Sequence, residues 1–358
     1  MKQLLVMSMA VAVLASCSKD QDPIIVVPPS NGSSITLNGL IGSEAGASAG
    51  NSVFVDFSTD KQSAILRDSW DLAFTSSSTY KVAINLTNGV SAVQVNKTDL
   101  NTVTEADVKL DTLKLGQGLG SFAVIDDIRE ANILNKTVIA EISATDNNNK
   151  VYVVNRKGGT NGTILGVADL FKIRVLRKGN GYTLQYAKLN ETSFKSLDIS
   201  KNTDFNFQFV SLVTGTPVNV EPEKSSWDIM WSWNISSTSF GTGLIPYGFS
   251  DIVLTNNIAG VTSFERVYSS VEVATDAYSK FNKDSAAKYA YSDNRMNIGS
   301  NWRLTVASGG EAAGIRKNRF YIIKDQAGNA YKLKFISAGI ANDGGTRGKP
   351  QIAYELIK

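Results

Sequence analysis

Residues 226–233 read SWDIMWSW, and residues 69–74 read SWDLAF. Each stretch follows an aromatic-rich segment. Residues 205–212 (FNFQFVSL) precede SWDIMWSW, and residues 53–57 (VFVDF) precede SWDLAF. Segments dominated by β-branched and aromatic residues are typical of strands. Because the two Ser-Trp-Asp motifs lie roughly 160 residues apart and their surroundings keep the same order, we predict an internal repeat.

The repeat extends to the end of each half. The closing strands of the first half contain Tyr152, the stretch 171–175 and Tyr186, and those of the second contain Tyr321, the stretch 331–335 and Tyr354. Similar short segments, separated by Gly, Asn, Asp and Ser, recur from residue 37 onward, which predicts an all-β, mainly antiparallel fold. We therefore place two related β domains at 37–202 and 203–358.

Helical periodicity is scarce along the chain. The best short helix candidates are residues 101–110, 126–134 and 271–288. The stretch TVIAEIS at 137–143 is rich in β-branched residues and is expected to be a strand.

The N-terminal residues have the character of an export segment. Lys2 precedes an apolar stretch, residues 4–15, which is too short to span a membrane and predicts a cleaved signal peptide over 1–16. The residues Leu-Ala-Ser-Cys that end at Cys17 resemble the lipobox of bacterial lipoproteins, which implies acylation of Cys17. An ordinary signal peptide with an incidental Cys is the alternative. Residues 17–36 predict a flexible tether that is rich in Pro and Ser.

The residues after Cys17 bear on where in the cell the protein is located. Residues 18–22 read SKDQD and are similar to the acidic signal that sends lipoproteins of Bacteroidetes-type bacteria to the outer face of the outer membrane. A simple polar spacer is the alternative interpretation. No later segment has 18 consecutive apolar residues, so the lipid is expected to be the only membrane attachment.

The composition excludes several classes of function. The 358 residues contain no His, which removes the Ser/His/Asp triad, His-bound zinc and His-ligated haem iron. Net charge is only +3, from 36 basic and 33 acidic residues, and no long basic block occurs, so nucleic acid is not an expected partner. Neither a phosphate-binding loop nor a Gly-x-Ser-x-Gly elbow is present. We expect a binding protein rather than an enzyme.

The repeated Trp-Asp pairs suggest structural roles. A carboxylate beside a buried Trp can accept backbone N–H bonds, so Asp71 and Asp228 are interpreted as structural rather than catalytic. Strand alternation places Trp227, Trp231 and Trp233 on one face. We interpret that face as core, whereas exposed Trp rings would form an aromatic binding surface.

Short motifs in a fixed order link the chain to a known family. In the second half they are SWDI (226–229), IGSNWR (298–303), RFYIIKD (319–325), GNAYKLKF (328–335) and RGKP (347–350), and in the first half WDLAF (70–74) and FKIRV (171–175). With these motifs the chain resembles the HmuY family of haem-binding lipoproteins from Bacteroidetes-type bacteria, as two tandem copies. The resemblance implies a hand-shaped all-β fold that holds haem between β loops and supplies a TonB-dependent outer-membrane receptor.

The resemblance also suggests ligands for the haem iron. The best-known members of the family use two His, and other members are thought to use Met. The methionines beyond the leader are Met230 and Met296, and Arg295 is placed to pair with a haem propionate. For both Met residues a gap-filling role in packing is the alternative, and a Tyr ligand stays open.

Three functions therefore compete. The first is capture of haem, another tetrapyrrole or a related nutrient for a transporter. The second is a glycan- or protein-binding surface module that uses exposed Trp and Tyr rings. The third is an enzyme with a His-free carboxylate or Ser/Lys site.

Overall fold

The computed structural model describes residues 28–116, 119–158, 162–239, 241 and 243–358. Within these ranges the fold is mostly antiparallel β-sheet with two short α-helices, as predicted. The signal peptide 1–16, Cys17 and the tether up to residue 27 lie outside the described residues. No helix among the described residues is long and apolar enough to cross a membrane.

The elements follow one another in this order. The strands are β1 (Gly32–Thr36), β2 (Asn51–Asp56), β3 (Lys61–Leu66), β4 (Leu72–Thr75), β5 (Val82–Ile84), β6 (Ser91–Val95), β7 (Val151–Asn155), β8 (Phe171–Lys178), β9 (Gly181–Lys188), β10 (Lys195–Ile199), β11 (Phe207–Ser211), β12 (Thr216–Val218), β13 (Ile229–Ser239), β14 (Leu244–Thr255), β15 (Thr262–Val267), β16 (Arg303–Leu304), β17 (Gly314–Ile315), β18 (Arg319–Lys324), β19 (Ala330–Ser337) and β20 (Gln351–Leu356). The helices are α1 (Val271–Lys280) and α2 (Lys283–Ala286).

Two five-stranded sheets flank two four-stranded sheets. The outer sheets have the orders β10-β9-β8-β7-β6 and β1-β20-β19-β18-β15, and the central sheets have the orders β12-β11-β4-β5 and β14-β13-β2-β3. Strands β16 and β17 pair only with each other. Each outer sheet buries one face against a central sheet, and a third apolar cluster fills the space between the central sheets. Strand β2 shows the consequence, since Val53 and Val55 enter one core and Phe54 enters the other.

Strands from both sides of residue 202 share the central sheets. Strand β2 pairs with β13, and β11 pairs with β4, so each half contributes a strand to a sheet of the other. The boundary predicted between residues 202 and 203 therefore does not divide the sheets into two self-contained sets. That the halves are two tandem copies stays a prediction.

One part of the predicted tether is a strand. Residues 32–36 form β1, which pairs antiparallel with β20, and Ile35 packs against the apolar core of that sheet. The assignment of these residues to a flexible tether is wrong, because β20 offers them an unpaired edge and a core for Ile35.

The tryptophans do not share one face. Ile229 and Trp231 face one core, whereas Trp227 packs in the central cluster with Met230. Trp227 precedes β13, so strand alternation does not reach it. Trp233 contacts the core beneath the outer sheet β10-β9-β8-β7-β6, because the register with β14 shifts between Ser232 and Asn234. The predicted common face of the tryptophans is therefore wrong.

The helix predictions succeed only in the second half. Helices α1 and α2 lie within 271–288, but 101–110 forms only 3₁₀ turns, and the candidate 126–134 reaches one such turn, Ile133–Asn135. The stretch 137–143 is not a strand. Its N–H groups bond to other partners, as when Val138 donates to the Asp126 carboxylate.

The exchange of strands predicts that neither half of the chain folds alone. Residues 37–202 without the rest would leave β2 and β4 unpaired on one edge and expose the central cluster to water. We expect residues 37–202 and 203–358, produced separately, to lack a cooperative thermal transition in circular dichroism. Mixed together, the two pieces are expected to associate and regain one. A cooperative transition in either piece alone would contradict this.

Candidate functional site

The repeated aspartates bind the exchanged strands. The Asp71 carboxylate accepts the N–H of Leu212 at 2.7 Å, and the Asp228 carboxylate accepts the N–H of Phe57 at 2.8 Å. Each Asp therefore ties the start of its own strand to the end of a strand from the other half. The predicted structural role of both residues is confirmed.

The repeated tryptophans pack in the same reciprocal way. Trp70 meets Phe209 edge-on at a centroid distance of 4.8 Å, and Trp227 meets Phe54 edge-on at 5.0 Å. In both pairs one ring comes from each half of the chain. Such perpendicular pairs are the favourable geometry for aromatic rings. The central cluster is therefore built from matching residues of the two Ser-Trp-Asp regions.

A cavity of about 130 Å³ lies in this central cluster. Its apolar walls come in pairs from matching positions of the two halves: Phe54 and Phe209, Trp70 and Trp227, Ala73 and Met230, Ala83 and Leu254. Because Ala73 stands where Met230 stands in the other half, the walls are not symmetric. The empty space lies between the central sheets rather than beneath either outer sheet.

Two opposite charges line the same cavity. Asp126 is fully buried, and its oxygens accept the N–H groups of Ile84 and Val138, both at 2.8 Å. Burial raises the pKa of Asp126 to about 7. Burial lowers the pKa of Arg295 to about 10 while Asp126 opposes that change, so Arg295 stays a cation at neutral pH. The Arg295 backbone is held by the carbonyl of Ala131 at 3.1 Å.

A third ionisable group, Glu221, lies between the cavity and a neighbouring groove. Its carboxylate accepts the N–H of Phe207 at 2.9 Å, and burial raises its pKa to about 8. The Asn206 amide approaches the other carboxylate oxygen at 3.5 Å and donates to Asn256 at 2.9 Å. At neutral pH Glu221 is therefore mostly protonated and uncharged.

The neighbouring groove is larger, with a volume of about 460 Å³. It runs between the β2–β3 hairpin and residues 219–226. Phe54, Ile65 and Pro222 supply apolar surface, and Lys61 lies exposed at its edge. Of these two openings, the groove reaches the roughly 300–1,000 Å³ of typical ligand pockets, whereas the central cavity is smaller.

The family is decided by a comparison of the whole sequence. A model of the family described as HmuY protein matches residues 48–354 in a single span. The chain belongs to the HmuY family. HmuY proteins are binding proteins of the haem-binding surface type and not a family of enzymes. No curated protein and no solved structure gives a significant match.

Two of the three residues predicted for a HmuY-type site meet in the structure. Met230 and Arg295 both line the central cavity. Met296 follows Arg295 in the chain but is not part of that lining; it lies half-buried in a turn, where its N–H donates to the Asn294 side chain at 2.9 Å. Sequence reasoning missed Asp126 and Glu221, since no motif surrounds either residue.

Neither opening fits an iron-ligated haem as it stands. The cavity holds the Met230 thioether but is too small for a macrocycle, and the groove is lined by no His, Cys, Met or Tyr among the described residues. No group of three or more His, Cys, Asp or Glu in the described ranges is placed to hold a metal ion. Haem ligation by Met230 would require the central sheets to separate.

Proposed function

We propose that this HmuY protein is a lipoprotein anchored through Cys17 in the outer membrane. There it captures haem or a related tetrapyrrole at the cell surface and delivers it to a TonB-dependent receptor. The family match over residues 48–354 carries the proposal. The lipobox-like residues before Cys17 and the acidic stretch after it support the anchor and its surface address.

The groove beside β2 and β3 is the proposed place for the tetrapyrrole. Its volume of about 460 Å³ and its apolar floor suit a flat macrocycle, and Lys61 at the edge can pair with a propionate. The sequence-predicted ligands Met230, Met296 and Arg295 do not line this groove, so they would contact the haem only if the central sheets separated. A haem bound in the groove without them would be held by packing and by its pairing with Lys61.

The buried tryptophans give little support to a glycan-stacking surface. Trp70, Trp227, Trp231 and Trp302 are all buried. Trp233 is half-buried, and the Arg67 guanidinium lies over its ring at 5.2 Å from the centroid. Stacking on a sugar needs an open ring face, so the tetrapyrrole is the better proposal.

The first experiment is a titration of the purified protein with ferric and ferrous haem, followed by absorbance. We expect a sharpened, saturable Soret band, which Met230→Leu or Met296→Leu removes if a thioether ligates the iron. Leu is preferred to Ala because it preserves most of the Met volume in the packed cluster. A band that survives both changes would reject thioether ligation.

The groove is tested by reversing one charge. Lys61→Glu is expected to weaken haem binding about fivefold to tenfold, because it replaces an attraction to a propionate by a repulsion. Lys109→Glu is the matched control, an equally exposed Lys outside the groove lining. Absence of any spectral change beyond that of free haem would overturn the proposed function.

A further inference from the structure

The central cavity contains polar atoms that the protein leaves without partners. Among the described residues, the Nε1 of Trp227, the Oδ1 of Asn234, the Oγ1 of Thr255 and the Nε of Arg295 are buried and form no hydrogen bond. All four residues line the cavity, and each is at least nine-tenths buried. Buried polar groups are normally paired, so a molecule within the cavity is the natural partner.

The pattern of free atoms indicates what that molecule must offer. The acceptors of Asp126 and one oxygen of Glu221 are already engaged by backbone N–H groups. The free groups include two N–H donors, on Arg295 and Trp227, and Arg295 is the cation of the cavity lining. A ligand that completes this site therefore brings strong acceptors and negative charge, as a carboxylate does.

The walls and the volume set the size of the remainder. A void of about 150 Å³ in a protein interior accommodates a molecule the size of benzene, and this cavity measures about 130 Å³. Its walls are mainly aromatic and aliphatic, from Phe54, Trp70, Phe209, Trp227 and Met230. The volume and the walls together suit a ligand whose apolar tail has only a few carbons.

We propose that the cavity binds a small carboxylate with a short apolar tail, whose carboxylate meets the Arg295 guanidinium and whose tail packs on the aromatic walls. The Asn234 carbonyl and the Thr255 hydroxyl are free to form hydrogen bonds with one further polar group of the ligand. This site is separate from tetrapyrrole capture and does not depend on it.

The charges around Arg295 predict how binding changes with pH. Asp126 and Glu221 line the cavity with it, and Asp56 and Lys61 lie in the adjoining groove. Burial raises the pKa of Asp126 to about 7 and that of Glu221 to about 8, so both are mainly neutral at pH 6 and charged at pH 9. A carboxylate is therefore expected to bind more tightly at pH 6 than at pH 9.

Calorimetric titration of the full protein with butyrate and with butyramide tests the site. The two probes have nearly the same size, but only butyrate carries the charge. We expect one butyrate per chain, bound at least tenfold more tightly than butyramide. Equal binding of the two, or no heat with butyrate up to about 10 mM, where even a millimolar ligand binds, would overturn the proposal.

Two variants place the binding in the cavity. Arg295→Gln is expected to weaken butyrate at least tenfold, and Ala73→Leu to abolish binding by filling the space opposite Met230. Thermal unfolding shows which variants are folded. The comparison of butyrate with butyramide uses the wild-type protein and does not depend on either variant. Undiminished butyrate binding in a folded Ala73→Leu protein would overturn the assignment.

A haem propionate is the other source of a carboxylate. We expect saturating butyrate to leave the haem titration unchanged, because the cavity cannot hold the macrocycle. Displacement of butyrate by haem would show that the carboxylate belongs to the larger ligand and would overturn the proposed site. Failure of haem binding with butyrate binding intact would overturn only the tetrapyrrole proposal.

Discussion

Replacing Asp71 by Asn is expected to destabilise the fold by about 3 kcal/mol, whereas the same change at Asp228 is expected to cost about 1 kcal/mol or less. The two positions match in the predicted repeat, and both carboxylates accept a backbone N–H from the other half. Their surroundings differ. Asp71 also forms a buried ion pair with Arg156 at 2.5 Å, so the Asn variant would strand a guanidinium that is largely removed from water.

Asp228 has no such cation among the described residues. Burial, with smaller contributions from Asp56 and Asp325, raises the pKa of Asp228 to about 7. Asn can still accept the Phe57 N–H and never becomes charged. Asp228→Asn is therefore expected to stabilise the protein at pH 9, where wild-type Asp228 is a buried anion.

Chemical denaturation at pH 7 and pH 9 measures both effects. The matched pair is its own control, because the substitution and the position in the Ser-Trp-Asp motif are the same. Equal losses for Asp71→Asn and Asp228→Asn at both pH values would show that the ion pair with Arg156 contributes nothing. A loss for Asp228→Asn that grows toward pH 9 would contradict the raised pKa.

The free energy of unfolding is expected to fall by several kcal/mol, and at most by about 10 kcal/mol, as the pH rises from about 5 to about 9. The folded-state pKa values of Glu221, Asp126 and Asp228 are about 8, 7 and 7, well above their ordinary values. The folded protein therefore holds these protons more tightly than the unfolded chain, and raising the pH favours unfolding. A tenfold change in proton affinity is worth about 1.4 kcal/mol, which sets the scale.

At acidic pH the free energy of unfolding changes with pH in the opposite direction. Arg129 and Lys136 hold the pKa of Asp127 well below its usual range, and the stability from that carboxylate is lost only when the pH falls below its ordinary value. We therefore expect a stability maximum near pH 4. Denaturation from pH 3 to pH 9 locates the maximum.

Glu221→Gln provides the test of this assignment. It removes the largest of the three ionisations while an amide oxygen can still accept the Phe207 N–H. The variant is expected to lose less stability between pH 6 and pH 9 than the wild type. Glu223→Gln, at a more exposed position two residues away, is the matched control and is expected to change nothing. Parallel pH curves for Glu221→Gln and the wild type would reject the buried, protonated Glu221.

The class of the fold and the roles of the aspartates in the two Ser-Trp-Asp motifs could be predicted from the residues alone. Strands such as β7, β8, β19 and β20 were predictable because their β-branched and aromatic residues face cores on one or both sides. The structural role of Asp71 and Asp228 was also predictable, because a carboxylate beside a buried Trp has few other uses. The family resemblance rested on the same short motifs.

How the two halves combine could not be predicted without the packed structure. Strands β2 and β11 are equally apolar, and nothing in their residues states that each pairs with a strand of the other half. That choice is made by packing both faces of the central sheets at once. It brings Asp126, Glu221 and Arg295, which are distant in the chain, to one small cavity. Their burial and their raised or lowered pKa values follow from that meeting, and no local pattern of residues encodes it.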